Sequence, residues 1–168
     1  MRLKINMLFL FLFFSVAASS QTAKIQAMFI YNFTKFVDWP KSSHSNNFVI
    51  GVLNDAELFT HLTEVVAGKR MYAEPIIVRK LTNGDLLDSL QILFVGASQC
   101  EKLPLICEQI KDREILVVAN CADGIDYGAA ISFQIVANKQ RFSLSQSSFE
   151  RHNLQMKPEL KNFALEVK

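Results

Sequence analysis

Four short apolar runs, each followed by glycine or a polar residue, constrain the fold of this chain more than any other feature. They cover Phe48–Leu53, 75–81, Ile92–Val95 and 115–119. The last two contain no polar residue, which is typical of strands that are buried on both faces. Helical patterns separate the runs, so the sequence predicts a mainly parallel sheet with helices on both faces.

Amphipathic patterns predict the helices around this sheet. Residues 22–37 form the first, and the residues predicted to face the sheet are Ile25, Met28, Phe29, Phe33, Phe36 and Val37. A second helix, 56–67, begins after Asn54-Asp55 and ends before Gly68. A third, short helix at 103–111 has proline in its first turn, where proline is tolerated.

The pattern changes in the last third of the chain. Two runs, 130–136 and 140–144, flank Asn138-Lys139 and predict an antiparallel hairpin at the sheet edge. Apolar residues at helical spacing predict a closing helix over 158–167. The predicted fold is an α/β three-layer sandwich with a mainly parallel sheet of five or six strands and a C-terminal antiparallel hairpin.

The first twenty residues have the composition of a cleaved signal peptide. Arg2 and Lys4 precede an apolar run at 7–16, and the small residues 17–20 follow it. Ten helical residues rise only about 15 Å, against roughly 30 Å of bilayer hydrocarbon. We therefore expect export to a bacterial periplasm, no membrane insertion after cleavage, and a single domain over 21–168.

The charge balance of the exported part argues against nucleic acid as a partner. The chain has 18 Lys and Arg against 16 Asp and Glu, and removing Arg2 and Lys4 leaves 16 of each sign. Nucleic-acid binding usually needs cations massed on one face. The sequence therefore predicts no nucleic-acid partner.

Motifs that mark catalytic or cofactor sites do not occur in this sequence. It has no glycine-rich nucleotide loop, no H-E-x-x-H, no G-x-S-x-G and no C-x-x-C. His44, His61 and His152 lack the spacing of metal ligands. We predict no enzyme activity, no metal and no cofactor; a hydrolase that uses His61 or His152 with a carboxylate is the least favoured alternative.

Three cysteines remain after export, and an odd number leaves one of them unpaired or intermolecular. Cys100 and Cys107 would lie about 10 Å apart on one helix, too far for a disulfide. If the helix begins near Leu103, however, Cys100 can fold back toward Cys107. A Cys100–Cys107 disulfide is therefore predicted, with Cys107–Cys121 as the next alternative and three reduced thiols as the third.

Aromatic and amide side chains beside basic residues predict a partner surface. The candidate partner-binding residues are Tyr31, Asn32, Lys35, Trp39, Arg141 and Phe142. The alternative is that Tyr31 and Trp39 pack over the end of the helix. The residue types alone favour this alternative. In the last strand, alternation places one of Arg141 and Phe142 inward and the other outward.

Residues 28–40, MFIYNFTKFVDWP, resemble the opening signature of the YfiR-like (HmsC-like) periplasmic proteins. The similarity continues through 50–52, 68–70 and 93–96, and through 131–133 into 138–142. The chain departs from the family around 143–145 and 157–160. Some members have a disulfide near the position of Cys121, but the position of its partner cysteine holds Gly or Ala in this chain. The resemblance therefore implies that Cys100 and Cys107 form an arrangement particular to this protein.

The resemblance implies a non-catalytic periplasmic regulator and a homodimer. Members bind the periplasmic part of an inner-membrane diguanylate cyclase and repress it, which lowers cyclic di-GMP and biofilm formation. An OmpA-like outer-membrane lipoprotein can sequester the regulator. The alternative is a periplasmic small-molecule-binding module with its ligand at the carboxyl ends of the strands.

Overall fold

The computed structural model describes residues 21–41 and 47–168. The predicted signal peptide at 1–20 and His44 lie outside the described residues. The strands are β1 (Val37–Asp38), β2 (Phe48–Leu53), β3 (Arg70–Met71), β4 (Glu74–Leu81), β5 (Ile92–Val95), β6 (Leu116–Ala119), β7 (Ile131–Val136), β8 (Lys139–Leu144) and β9 (Gln155–Met156). The helices are α1 (21–36), α2 (Ala56–Val66), a 3₁₀ helix (Ala97–Lys102), α3 (Leu103–Gln109), α4 (Gln146–Arg151) and α5 (Pro158–Phe163).

Seven of these strands form a mixed, mostly parallel sheet in the order β3-β4-β2-β5-β6-β7-β8. The five strands β4, β2, β5, β6 and β7 are parallel to one another, whereas β3 pairs antiparallel with β4 and β8 pairs antiparallel with β7. The sequence predicts six of these seven strands. It does not predict β3, because two residues are too few to show an alternating pattern. Strands β1 and β9 form a separate antiparallel pair.

Alternate residues of the central strands belong to two hydrophobic clusters. Ile92 and Phe94 of β5 belong to the larger cluster, together with buried residues of α1 and α2. Leu93 and Val95 belong to the smaller cluster, together with buried residues of α3. Because neighbouring side chains of a strand point to opposite faces, the sheet has apolar packing on both faces.

The buried face of α1 agrees in part with the predicted one, since Phe33 and Val37 are buried and Phe29 and Phe36 pack against the larger cluster. Ala27, Ile30 and Phe33 are buried, whereas Ile25 and Met28 are 36% and 52% exposed. Hydrophobicity alone misplaces part of this face because two polar residues belong to it. These are Gln26, which donates from Nε2 to Asn120 Oδ1 (3.0 Å) and Gln140 Oε1 (3.1 Å), and Thr34, which donates to the carbonyl oxygen of Tyr31 (2.7 Å).

Four phenylalanines join α1 to the β7-β8 end of the sheet. The ring of Phe33 lies 5.2 Å from that of Phe142 and 6.0 Å from that of Phe133. Phe29 lies 5.5 Å from Phe142 and 6.0 Å from Phe133. Aromatic pairs in such geometries stabilise by about 0.5–1.5 kcal/mol beyond their buried area. This aromatic cluster fixes which face of α1 is turned to solvent.

The C-terminal residues run along the outer edge of β8. Helix α5 ends at Phe163, and Val167 then forms a parallel bridge with Leu144. The N–H of Leu165 donates to the carbonyl oxygen of Phe142 at 2.8 Å. The predicted helix over 158–167 is therefore too long, because its last residues cover backbone groups of an edge strand.

Two substitutions in α1 test the observed helix face. Ile30→Ala should lower the free energy of unfolding by about 2–5 kcal/mol, because it leaves a cavity in the core. Met28→Ala should change it by less than about 0.5 kcal/mol, because this side chain is half exposed. Urea unfolding of both variants measures the difference. Equal losses of stability in the two variants would contradict the burial of Ile30 and the exposure of Met28.

Candidate functional site

The solvent-facing side of α1 carries three of the six residues predicted to bind a partner. We call Lys24, Met28, Tyr31, Asn32 and Lys35 the α1 outer face, because they follow one another at helical spacing away from the buried face. Lys24, Met28 and Lys35 are exposed, whereas Tyr31 and Asn32 are half-buried and Tyr31 also packs against the larger hydrophobic cluster. Lys35 Nζ lies 4.5 Å from the centroid of the Tyr31 ring and donates to Asn32 Oδ1 at 3.0 Å. The structure thus brings Tyr31, Asn32 and Lys35 together.

The α1 outer face is basic although the predicted exported chain is neutral. Helix residues 21–36 include Lys24 and Lys35 and no acidic residue. Lys69, which follows α2, places its Nζ 6.0 Å from the Tyr31 ring. Cation–π attraction between an ammonium group and a tyrosine ring is worth about 0.5–1 kcal/mol at an exposed site. The face therefore presents an aromatic ring within a group of cations.

A second aromatic pair continues this surface beyond the end of α1. The rings of Phe36 and Phe163 lie 5.9 Å apart, and Phe163 is 57% exposed. Lys157 Nζ donates to the carbonyl oxygen of Lys35 at 2.9 Å and lies 3.5 Å from Asp38 Oδ1. Exposed apolar area next to cations is a feature of protein-binding surfaces. Sequence reasoning missed Met28, which it placed inward, and Phe163, which it placed in a longer helix.

Trp39 lies in the core, which corrects its assignment to a partner surface. Its ring meets that of Phe48 edge-on at 5.0 Å, and its Nε1–H donates to the carbonyl oxygen of Gln91 at 3.1 Å. Its backbone N–H donates to the hydroxyl of Tyr72 at 3.2 Å. A buried tryptophan needs such a partner for its N–H. Trp39 therefore stabilises the end of α1 against β2 and does not face solvent.

The two candidates in β8 do not join the α1 outer face. Phe142 is buried in the aromatic cluster, which corrects its assignment to a surface. Arg141 is exposed, but alternation along the strand turns its side chain to the face opposite Phe142. Arg141 thus lies on the side of the sheet away from α1.

The disulfide joins Cys100 to Cys121, and the predicted Cys100–Cys107 pairing is wrong. The Cα atoms of Cys100 and Cys121 are 5.9 Å apart. Cys100 lies in the 3₁₀ helix after β5, and Cys121 lies just after β6. Because β5 and β6 are parallel neighbours, the segments that leave their carboxyl ends meet. The order of the strands in the sheet, and not distance along the sequence, thus determines which cysteine forms the disulfide with Cys100.

Cys107 is a free, buried thiol in α3. A Cβ atom added at Gly128 would lie 3.2 Å from Cys107 Sγ, so the backbone at Gly128 covers the sulfur closely. Burial raises the pKa of the Cys107 thiol to about 11, against a smaller opposing effect of the Arg151 charge. The thiol is therefore protonated at neutral pH and a poor nucleophile.

Comparison with protein families identifies the chain. The model of the YfiR/HmsC-like family matches residues 23–164, which is most of the sequence. The chain belongs to the YfiR/HmsC-like family. Members of this family are known as periplasmic regulators and are generally non-catalytic.

Comparison with solved structures finds several matches. A conserved domain protein from Vibrio cholerae O1 biovar El Tor has 10% sequence identity and a TM-score of 0.49, with 71% of this chain and 54% of that chain covered. The chain thus spans about half the length of that protein. A search of the curated proteins finds no match.

The two histidines among the described residues, His61 and His152, lie close to other protein groups. His61 on α2 lies 3.6 Å from Glu64 Oε2 on the helix surface. His152 is buried, with Nδ1 2.7 Å from the carbonyl oxygen of Arg113 and no partner for Nε2 among the described residues. Within 21–41 and 47–168, no group of three or more His, Cys, Asp and Glu residues is placed to hold a metal ion. None of the helices described there is long and apolar enough to cross a membrane.

Reduction of the disulfide should destabilise the protein. Chain-entropy arithmetic for its separation of 21 residues gives about 3 kcal/mol. Urea unfolding with and without reductant should show a loss of this size in the wild type and in Cys107→Ser. The double variant Cys100→Ser/Cys121→Ser should not respond to reductant. A Cys107→Ser variant that no longer responds would instead indicate pairing through Cys107.

Acid should destabilise the fold through His152. Burial lowers the pKa of His152 below its ordinary value of 6.5, against a smaller opposing effect of the hydrogen bond to Arg113, and the Arg151 charge lowers it further. Because the unfolded chain takes up this proton more readily, the contribution of His152 to stability is present above pH 6.5 and is lost as the pH falls below it.

Urea unfolding at pH 7.5 and pH 5.0 measures this effect. The wild type should lose more stability between the two pH values than His152→Gln does. Identical losses in the wild type and His152→Gln would contradict the assignment.

Proposed function

We propose that this protein is a periplasmic regulator that binds and represses the periplasmic sensor part of an inner-membrane signalling protein, a diguanylate cyclase. The family match over residues 23–164 is the observation that carries this proposal. Repression lowers cyclic di-GMP and with it biofilm formation. The protein contributes binding free energy and no chemistry of its own.

The α1 outer face is the surface that supports binding best. It combines the ring of Tyr31 with the ammonium groups of Lys24, Lys35 and Lys69. A complementary partner presents carboxylates around an apolar or aromatic contact. Tyrosine is enriched among residues whose truncation costs most binding energy, and peripheral charges mainly set the association rate. Tyr31 is therefore the expected anchor and the lysines the steering charges.

Repression in this proposal is a shift between two states of the partner. The regulator binds the inactive state more tightly, and each 1.4 kcal/mol of difference shifts the population about tenfold. An OmpA-like outer-membrane lipoprotein that binds the same face would compete and release the cyclase. The proposed working form is a homodimer in the periplasm.

A binding assay with the periplasmic part of an inner-membrane diguanylate cyclase from the same organism tests the proposed surface. Tyr31→Ala should weaken binding about tenfold or more, because it removes the anchor. Lys35→Glu should slow association and reduce its salt dependence, because Lys24 and Lys69 remain. Lys80→Glu, on an exposed lysine of β4, is the matched charge-reversal control and should bind as the wild type does.

Two results would contradict the proposal. Deletion of the gene should raise cellular cyclic di-GMP, and an unchanged level would show that the regulator function is wrong. Variants at Tyr31 and Lys35 that are folded and bind normally would show that the α1 outer face is not the interface. Urea unfolding of each variant separates lost binding from lost folding.

A further inference from the structure

The turn between β3 and β4 has a strained backbone. The two strands pair up to Met71 and Glu74, so Tyr72 and Ala73 form a two-residue turn. Their φ angles are 51° and 68°, and positive φ at both positions is the arrangement of a type I′ turn. Such turns favour Asn and Gly, because positive φ brings the Cβ atom of other residues close to the backbone. This turn contains neither of them.

Tyr72 differs from the other residues with positive φ. Within 21–41 and 47–168 it is the one aromatic residue in this conformation. The two-residue turn between β7 and β8 consists of Ala137 and Asn138, and asparagine tolerates positive φ. Strained residues that persist in a fold cluster at sites of binding and switching. The turn therefore indicates a role for the side chain of Tyr72.

Contacts within the protein explain only part of this role. The hydroxyl of Tyr72 accepts a hydrogen bond from the backbone N–H of Trp39 at 3.2 Å. Arg70 donates from Nε to the carbonyl oxygen of Ala73 at 2.7 Å and so holds the turn. The side chain of Tyr72 nevertheless remains 39% exposed. The bond to Trp39 uses the hydroxyl and leaves part of the ring open to another molecule.

The turn adjoins the α1 segment at two points. Lys69, which directly precedes β3, places its Nζ 6.0 Å from the centroid of the Tyr31 ring. Tyr72 bonds to Trp39, which follows the end of α1 at residue 36 by three positions. Residues 69–73 therefore lie along the segment that begins with α1. The exposed ring of Tyr72 continues the surface that is proposed to bind the partner.

We propose that Tyr72 is a second anchor for the partner protein that binds the α1 outer face. Its exposed ring packs against an apolar group of the partner, and the nearby Lys69 pairs with a carboxylate. Tyrosine is enriched among the residues that carry most of the binding energy of an interface. The bond to Trp39 holds the ring in place before binding, so that little of its freedom is lost in the complex. This inference rests on the proposed function and extends its surface from α1 to the β3–β4 turn.

Three variants of the turn separate the ring from the hydroxyl and the backbone. Tyr72→Asn removes the ring but tolerates positive φ, and it should weaken binding to the periplasmic part of the cyclase about tenfold. Tyr72→Phe keeps the ring and should bind nearly as well as the wild type. Ala73→Gly relieves the strained φ, so it should unfold at a higher urea concentration and bind as the wild type does. Tyr127→Asn, at an exposed tyrosine between β6 and β7, is the matched control and should bind normally.

Footprinting of the wild type with hydroxyl radicals gives a second measurement that needs no variant. The radicals oxidise accessible tyrosine rings, and mass spectrometry reads the oxidation of each residue. The partner should protect Tyr72 and leave Tyr127 as reactive as before. Unchanged oxidation of Tyr72 in a complex that has formed would overturn the second anchor, even if Tyr72→Asn does not fold.

The binding results distinguish failure of this inference from failure of the proposed function. Normal affinity in Tyr72→Asn, together with weakened binding in Tyr31→Ala, would overturn the second anchor and leave the proposed function in place. A loss in Tyr72→Phe or Ala73→Gly equal to that in Tyr72→Asn would assign the effect to the hydroxyl or the backbone and overturn a role of the ring. Absence of binding by the wild type would overturn the proposed function and this inference with it. Urea unfolding of each variant identifies losses that come from misfolding.

Discussion

The packing of α1 against β7 and β8 is the interaction on which the proposed binding surface depends. Phe29 and Phe33 of the helix meet Phe133 and Phe142 of the strands with ring centroids 5.2–6.0 Å apart. These contacts bury one side of the helix, so its other side must face water. The position of Tyr31 above a group of lysines is a consequence of this aromatic packing.

The strands of the central sheet could be predicted because their side chains are buried on both faces and leave continuous apolar runs. The face of α1 could not, because Gln26 is buried by hydrogen bonds to residues about a hundred positions away in sequence. The disulfide was missed for a similar reason. Cys100 meets Cys121 only through the pairing of β5 with β6, which no local pattern reveals.

The candidate surface was predicted only in part from the sequence. Aromatic and amide residues beside a lysine drew attention to the α1 segment, and Tyr31, Asn32 and Lys35 do lie together. Residue type did not distinguish them from Trp39 and Phe142, because aromatic side chains serve a core as well as an interface. Only the packing of the helix separates the two roles.

Chemical labelling of lysines, with and without the periplasmic domain of the proposed partner cyclase, tests the central claim that the protein acts by binding through α1. The reactivity of each amine is read by mass spectrometry. The account predicts that the complex protects Lys35 and Lys69, which flank Tyr31, and leaves Lys80 and Lys111 as reactive as before. Unchanged reactivity of Lys35 and Lys69 in a complex that has formed would contradict it.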